Sequence, residues 1–403
     1  MAADASAATT RRFLVTCRGF AAQSIDPLGM QMEDAVDSKT GLRYHGRKLG
    51  NAPNCVCHPR RIVLAGLGAT AASSLLRSAA AIAQVESPSV RSIDVHHHLY
   101  PPRYKIETYE RIAKETRLAP VTLNWSPSGA IEKMDQAGVG TAINSISTPG
   151  VWFGDGDAAR IRARECNDFG ARLMRDYPGR FGMFAAIPLP DADGSLREIE
   201  YALDVLKLDG VGVLTSYAGK LLGDPLFSPV FDELNRRKAV VFVHPTSSCC
   251  DNPISGVDTA LIEFPMDTTR TITSLLIGGA FARYSDIRFI FSHGGGMLIP
   301  VVNRIAAAAA RMSPEERAVK LPKGADYELK RQYYDLASIG FNAAGIAGLR
   351  KLLPISQMLY GSDEPFNSTV EINKSLQKMD FTPDEARAMR RTNAMRLFPR
   401  LQT

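Results

Sequence analysis

Ala239-Val240-Val241-Phe242-Val243-His244-Pro245 is an unbroken apolar run that ends on a histidine. β-Branched and aromatic residues fill nearly every position, which suits extended backbone. With no polar alternation, both faces of the strand are expected to be buried, as in a parallel sheet covered by helices. Residues 287–291 repeat the pattern and stop just before His293.

Reading outward, similar runs cover residues 90–95, 139–146, 180–187, 210–215, 332–336 and 357–360. Helical patterns separate them. Ser126-Pro127 reads as N-cap and first residue of a helix through 136. Further helices are expected over 158–176, 195–206, 228–238, 268–282, 297–312, 343–353 and 369–378. Thr382-Pro383-Asp384-Glu385 has the form of a capping box that opens a last helix. Eight strand-then-helix units predict an α/β fold, a (β/α)8 TIM barrel, over residues 90–403. No G-x-G-x-x-G follows the first strand, which argues against a dinucleotide-binding sheet. Residues 99–125 and 245–267 read as long loops over the barrel mouth, where substrate-shaping segments belong.

The composition agrees. With 45% hydrophobic and 22% charged residues, the chain can bury a large core. The net charge is +6, but Arg11, Arg12, Arg18, Arg43, Arg47, Lys48, Arg60 and Arg61 crowd the first 61 positions. The remainder is nearly balanced, so no nucleic-acid partner is expected. Six cysteines are too few for a disulfide scaffold. Cys55-x-Cys57-His58 lacks a second half-site and reads as coincidence.

Residues 1–89 read as an N-terminal extension. Arg60-Arg61, an uncharged run over 62–76 and Ala81-Ile82-Ala83 before Gln84 have the order of an export signal, cleaved between 83 and 84. The paired arginines resemble a twin-arginine signal, which implies a periplasmic or exported enzyme. The signal lies unusually far along the chain, which points to a start at Met30 or Met32; Arg11-Arg12-Phe13-Leu14 is a second, weaker candidate. The alternative is an extension on a cytoplasmic enzyme. The apolar run is too short for stable membrane insertion.

His96, His97, His98, His244 and His293 are the histidines of the barrel region, and each follows a predicted strand. Asp363 falls likewise after the eighth. Catalytic groups of TIM barrels gather at these strand ends. Residues i and i+2 of an extended segment point the same way. His96 and His98 are therefore expected to face one point, with His97 turned elsewhere. His244 and Asp363 complete three nitrogens and one oxygen for one divalent metal, zinc first and manganese as the alternative. His293 is assigned as a general acid/base, a fifth ligand being the other option. The Gly294-Gly295-Gly296 run beside it lets backbone approach closely.

Four elements in this order, Ile93-Asp94-Val95-His96-His97-His98, Val243-His244-Pro245, Ser292-His293-Gly294-Gly295-Gly296 and Gly361-Ser362-Asp363-x-Pro365-Phe366, resemble the amidohydrolase-superfamily decarboxylases typified by aminocarboxymuconate semialdehyde decarboxylase. Ile146-Ser147-Thr148-Pro149-Gly150, Leu222-Gly223-Asp224-Pro225 and Phe264-Pro265-Met266-Asp267-Thr268-Thr269-Arg270 are most similar to the 6-methylsalicylate decarboxylase type. The resemblance implies metal ligation by His96, His98, His244 and Asp363, and proton transfer by His293. It implies that Arg304 reaches a neighbouring subunit's site in a homodimer. Strand 4 ends at Leu214-Thr215-Ser216 without the lysine that bridges two metals in hydrolytic relatives, which implies a mononuclear site.

The implied reaction is metal-dependent, non-oxidative decarboxylation of a small aromatic or enoic carboxylic acid, salicylate-like in form. Asp363 or His293 would deliver the proton. Arg270 and Arg304 are candidate partners of the substrate carboxylate, and Phe366 a candidate wall for its ring. The same ligands serve hydrolysis of an ester, lactone or amide with Asp363 as base, so the motif leaves that reaction open. An inactive barrel acting as a binding module is the third reading.

Overall fold

The computed structural model describes residues 91–246 and 254–402. The export signal, the cleavage position, Cys55-x-Cys57-His58 and the extension as a whole lie outside the described residues. Among the described residues, no helix is long and apolar enough to cross a membrane.

Eight strands form one parallel sheet in sequence order: β1 (Ser92–His98), β2 (Val139–Ser145), β3 (Phe181–Ala186), β4 (Gly210–Leu214), β5 (Val240–His244), β6 (Arg288–Phe291), β7 (Tyr333–Asp335) and β8 (Met358–Leu359). The chain after β8 returns to β1. Val95 N–H donates to the Tyr360 carbonyl at 3.0 Å, and His98 N–H to the Glu364 carbonyl at 2.8 Å. The expected (β/α)8 barrel is therefore what forms.

The apolar runs divide between two layers. Along β5, Val240 and Phe242 join Ile93, Val95, Ile143, Phe184, Ile290 and Leu359 in the barrel interior. Val241 and Val243 face out with Phe289 and Phe291 against helix residues such as Ile272 and Leu275. This explains why the strands carry no polar alternation. The last helical segments add Ala394, Leu397, Phe398 and Leu401 to the interior cluster. The barrel is a packed core, and polar groups are left to the strand ends.

Local signals act as expected at several helix starts. Ser126 Oγ accepts from Gly129 N–H at the head of helix Pro127–Gln136. Thr382 and Glu385 exchange both bonds of a capping box.

Two expectations fail. Residues 99–125 are not a plain loop but carry helices Pro102–Glu115 and Pro120–Leu123. The helix after β5 spans Thr259–Ile277, so it starts within the expected loop and runs through Pro265. Proline removes a donor and clashes with the carbonyl four residues back, so Pro265 reads as a boundary. Here Leu261 and Ile262 are exposed; the first turns lie at the surface, where the break is tolerated.

Candidate metal centre

The parallel register brings the C-terminal ends of β1, β5 and β8 to one rim, and each delivers its polar group there. Nearest ligand atoms of His96, His98, His244 and Asp363 all lie within 4.8 Å of one another. His96 Nε2 is 3.2 Å from His98 Nε2 and 3.2 Å from Asp363 Oδ1. His98 Nε2 is 3.0 Å from the same oxygen. All four residues are buried.

The opposite ring nitrogens fix the tautomers. His96 Nδ1 is 3.0 Å from Asp335 Oδ2, His98 Nδ1 is 3.3 Å from the Ser145 carbonyl, and His244 Nδ1 is 2.9 Å from the Pro245 carbonyl. The Asp335 carboxylate and the Pro245 carbonyl can only accept, so Nδ1 of His96 and of His244 carries the hydrogen and donates; His98 Nδ1 has the Ser145 hydroxyl beside it at 3.2 Å as well, and donation to the carbonyl gives it the same tautomer. The three Nε2 lone pairs are thereby aimed at one point, the arrangement that orients metal-binding imidazoles. Four-coordinate sites with bonds of about 2.0–2.1 Å put neighbouring donors about 3.3 Å apart. The His96, His98 and Asp363 separations match that spacing, and His244 completes within 4.8 Å a donor set that fits one divalent cation.

The charge balance agrees. Burial opposes protonation of His96, but the Asp335 and Asp363 carboxylates outweigh it and lift this group to about 10. Burial holds His98 low. Burial, with His98 and His96 beside it, holds His244 well below the usual histidine range. Burial would raise Asp363, but the charge on His96 and the close contacts with His293, His96 and His98 hold it well below the usual carboxylate range. The pocket thus attracts positive charge at the point where the Nε2 atoms meet.

His97 turns away from this point, as its odd position in the strand predicts, and its Nδ1 lies 3.0 Å from Asn144 Oδ1. Asp94, between Ile93 and Val95, braces the loop after β8. Its carboxylate accepts from His96 N–H, Ser362 N–H and Ser362 Oγ at 3.0, 3.0 and 2.5 Å. Burial raises Asp94 to about 6 against the pull of His97 and these bonds.

His293 stands beside the cluster. Its Nε2 is 3.4 Å from Asp363 Oδ2, and its backbone N–H donates to Asp335 Oδ1 at 3.0 Å. His293 and Asp363 both adopt left-handed backbone, at φ 56° and 67°. For residues with side chains such conformations are costly and are held by their surroundings. Here the bonds to Asp335 and to the His96 carbonyl (Asp363 N–H, 2.7 Å) hold them.

A cavity of about 290 Å³ opens on His244, His293 and Asp363. Its walls are mainly apolar, with Leu118, Leu261, Phe264 and Phe366. The Phe366 ring centroid is 5.9 Å from that of His98. No arginine or lysine lines it among the described residues. Arg270 and Arg304 are exposed, on helices Thr259–Ile277 and Leu298–Ala310, outside this wall. Arg270 does not open its helix, as expected, but sits about three turns in. Asp267, Thr268, Thr269, Thr271 and Ile272 take the buried side there, which turns Arg270 outward.

Sequence reading passed over Asp335, Ser145 and Asn367. Asp335 ends β7, so the positional rule that singled out the histidines reaches it as well. Ser145 meets His98 Nδ1 with both its hydroxyl, at 3.2 Å, and its carbonyl, at 3.3 Å, and only the hydroxyl is announced by residue type. Asn367 donates to Asp363 Oδ2 at 3.0 Å from four residues further on.

The pattern of the amidohydrolase family matches residues 93–400, the whole barrel. The chain belongs to the amidohydrolase family. Within the family it is 34% identical to the decarboxylase yanB of Aspergillus niger, over 77% of this chain and 88% of that protein. It is also 34% identical to the 6-methylsalicylic acid decarboxylase acuB of Aspergillus aculeatus, over 77% of this chain and 96% of that protein. Its place in the family is thus among the decarboxylases. A 5-carboxyvanillate decarboxylase of Novosphingobium aromaticivorans, solved with manganese and 4-hydroxy-3-methoxy-5-nitrobenzoic acid, superposes with a TM-score of 0.70 at 20% identity. That match covers 78% of this chain and 97% of the other, and speaks for the fold alone.

Proposed function

We propose that this chain is a metal-dependent, non-oxidative carboxy-lyase acting on a small aromatic hydroxy acid of the salicylate type. The observation that carries the reading is the convergence of three Nε2 atoms and one carboxylate oxygen, within 4.8 Å of one another, at the floor of an apolar cavity. The cavity is near the lower end of ordinary ligand pockets, about 300–1,000 Å³, which suits a single substituted ring.

His96, His98, His244 and Asp363 would hold the ion. We assign zinc, as three imidazoles and a carboxylate suit it, with manganese as the alternative. When bound, the ion supplies a Lewis acid for the substrate's carboxylate and adjacent oxygen, and steadies charge as CO2 departs. The protein does the rest. Phe366, Phe264, Leu118 and Leu261 would hold the ring and exclude water. His293 would carry a proton on Nε2, next to Asp363 Oδ2, and give it to the ring carbon that loses CO2. The carboxylate is thereby exchanged for a hydrogen, with no oxidant or reductant required.

The absence of cationic side chains from the described cavity wall supports a role for the ion in holding the carboxylate. Arg304 is proposed to act on a second copy's site in a homodimer, and Arg270 to serve the entering anion from outside the wall. Export of the mature chain from Gln84 is proposed from residues 60–83 and tested by N-terminal sequencing of the protein from its host.

The experiment is a panel of benzoates, hydroxybenzoates and enoic acids offered to zinc- and manganese-loaded protein, with CO2 as the readout. Release of CO2 from an ortho-hydroxybenzoate supports the proposal. Cleavage of esters or lactones in a parallel panel, with no CO2 from any acid, overturns it in favour of the hydrolase. Inertness in both panels favours a binding module.

A further inference from the structure

We propose that Asn367 is a positioning residue that divides the Asp363 carboxylate, keeping Oδ1 on the imidazole cluster and Oδ2 on His293. The inference rests on the metal-dependent decarboxylase reading and deepens it.

The two oxygens of Asp363 have different surroundings. Oδ1 lies 3.2 Å from His96 Nε2 and 3.0 Å from His98 Nε2. Oδ2 lies 3.4 Å from His293 Nε2 and 3.0 Å from Asn367 Nδ2. Asn367 Nδ2 is also 3.1 Å from Ser338 Oγ. A carboxylate oxygen can only accept, so chemistry assigns the NH2 end of the amide to Asp363. Its two hydrogens are then committed, one to Asp363 and one to Ser338. That pins the plane of the amide, and through it the rotation of the carboxylate.

The backbone supports the same arrangement. Asn367 N–H donates to the Asp363 carbonyl at 3.0 Å, which closes a tight turn after Asp363. Ser338 comes from the loop after β7 and adopts left-handed backbone, φ 57°, like Asp363 and His293. Asp363, Asn367, Ser338 and His293 all line the cavity. Without the amide donor, His293 alone among the described residues holds Oδ2 away from the imidazole cluster. The carboxylate is then free to turn both oxygens toward it, and His293 loses its fixed partner.

Asn367→Leu keeps the size and removes the donor. Ser338→Ala keeps Asn367 and removes its anchor. Both are compared with the parent protein, each loaded with manganese, by metal content, melting temperature, kcat and KM for the best acid of the panel, and the electron paramagnetic resonance spectrum of the bound ion. Hydrogen-bond partners of metal ligands typically change activity about 10- to 100-fold. Asn367→Leu is expected to lose kcat in that range with KM nearly constant. Its manganese content should stay full and its spectrum should change. Ser338→Ala should shift both readouts in the same direction and by less, and it decides the matter if Asn367→Leu does not fold. Parent-like kcat and spectrum in the folded variants overturn the proposal, and so does loss of manganese from them. A parent protein that binds manganese but releases no CO2 defeats the decarboxylase reading instead, and the spectra still decide the role of Asn367.

Discussion

Asp335 Oδ2 lies 3.0 Å from His96 Nδ1, and neither side chain has any exposure to solvent. Its other oxygen accepts from His293 N–H and Ala337 N–H, each at 3.0 Å. One carboxylate at the end of β7 therefore orients a proposed metal ligand and the proposed proton donor together. Asp335→Asn preserves shape but turns one accepting oxygen into an NH2 donor, so either His96 Nδ1 or the backbone N–H groups of His293 and Ala337 lose their acceptor. Metal affinity and turnover should each fall about 10- to 100-fold, with the fold retained by circular dichroism. Unchanged metal affinity would show that the His96 tautomer does not depend on this bond.

The metal-free protein should hold a proton on His96. A folded value of about 10 lies above the ordinary histidine value of about 6.5. The proton therefore stabilises the metal-free fold fully below the unfolded value, and that contribution is lost as pH rises through the folded one. His98 and His244 are held low and bring no proton. Cation binding must displace the His96 proton, so affinity should rise with pH through the neutral range and level off near 10. Calorimetry in buffers of differing ionisation heat measures the release. Affinity independent of pH across that window contradicts the assignment.

His293→Ala should leave metal content unchanged and slow turnover about 10²- to 10⁴-fold, the usual contribution of a general acid. Metal analysis beside single-turnover kinetics checks this. If the ion is lost with the side chain, His293 is a ligand and Asp363 becomes the candidate donor.

Phe242 stacks on Phe184, with centroids 5.2 Å apart, and meets the His96 ring at 5.0 Å. It is fully buried. Phe242→Ala should destabilise the protein by about 3–5 kcal/mol, read from denaturant unfolding. It should also weaken metal retention by loosening His96. A loss below about 1 kcal/mol would mean that neighbouring side chains collapse into the space.

The barrel was legible because its strands are buried on both faces, so apolar runs such as 239–243 and 287–291 mark them without ambiguity. The gathering of His96, His98, His244 and Asp363 was legible because strand ends share one rim in this fold. What surrounds them was harder to read. An aspartate at a strand end, as Asp335 is, carries no mark of which ring it will meet. A carbonyl such as that of Ser145 carries none at all. The helix over Thr259–Ile277 starts inside the expected loop and carries Pro265, which removes a donor from its interior, so only packing shows that the chain is helical there. The outward turn of Arg270 follows from which neighbours are buried, a property of the tertiary structure.

The most direct measurement is divalent metal content of the purified protein beside His244→Ala, after dialysis against a weak chelator. The parent protein should hold a single tightly bound ion per chain and the variant none, with CO2 released from a hydroxybenzoate only where the ion is kept. A variant that retains the ion, or a parent protein that neither binds one nor gains activity from zinc or manganese, would contradict that expectation.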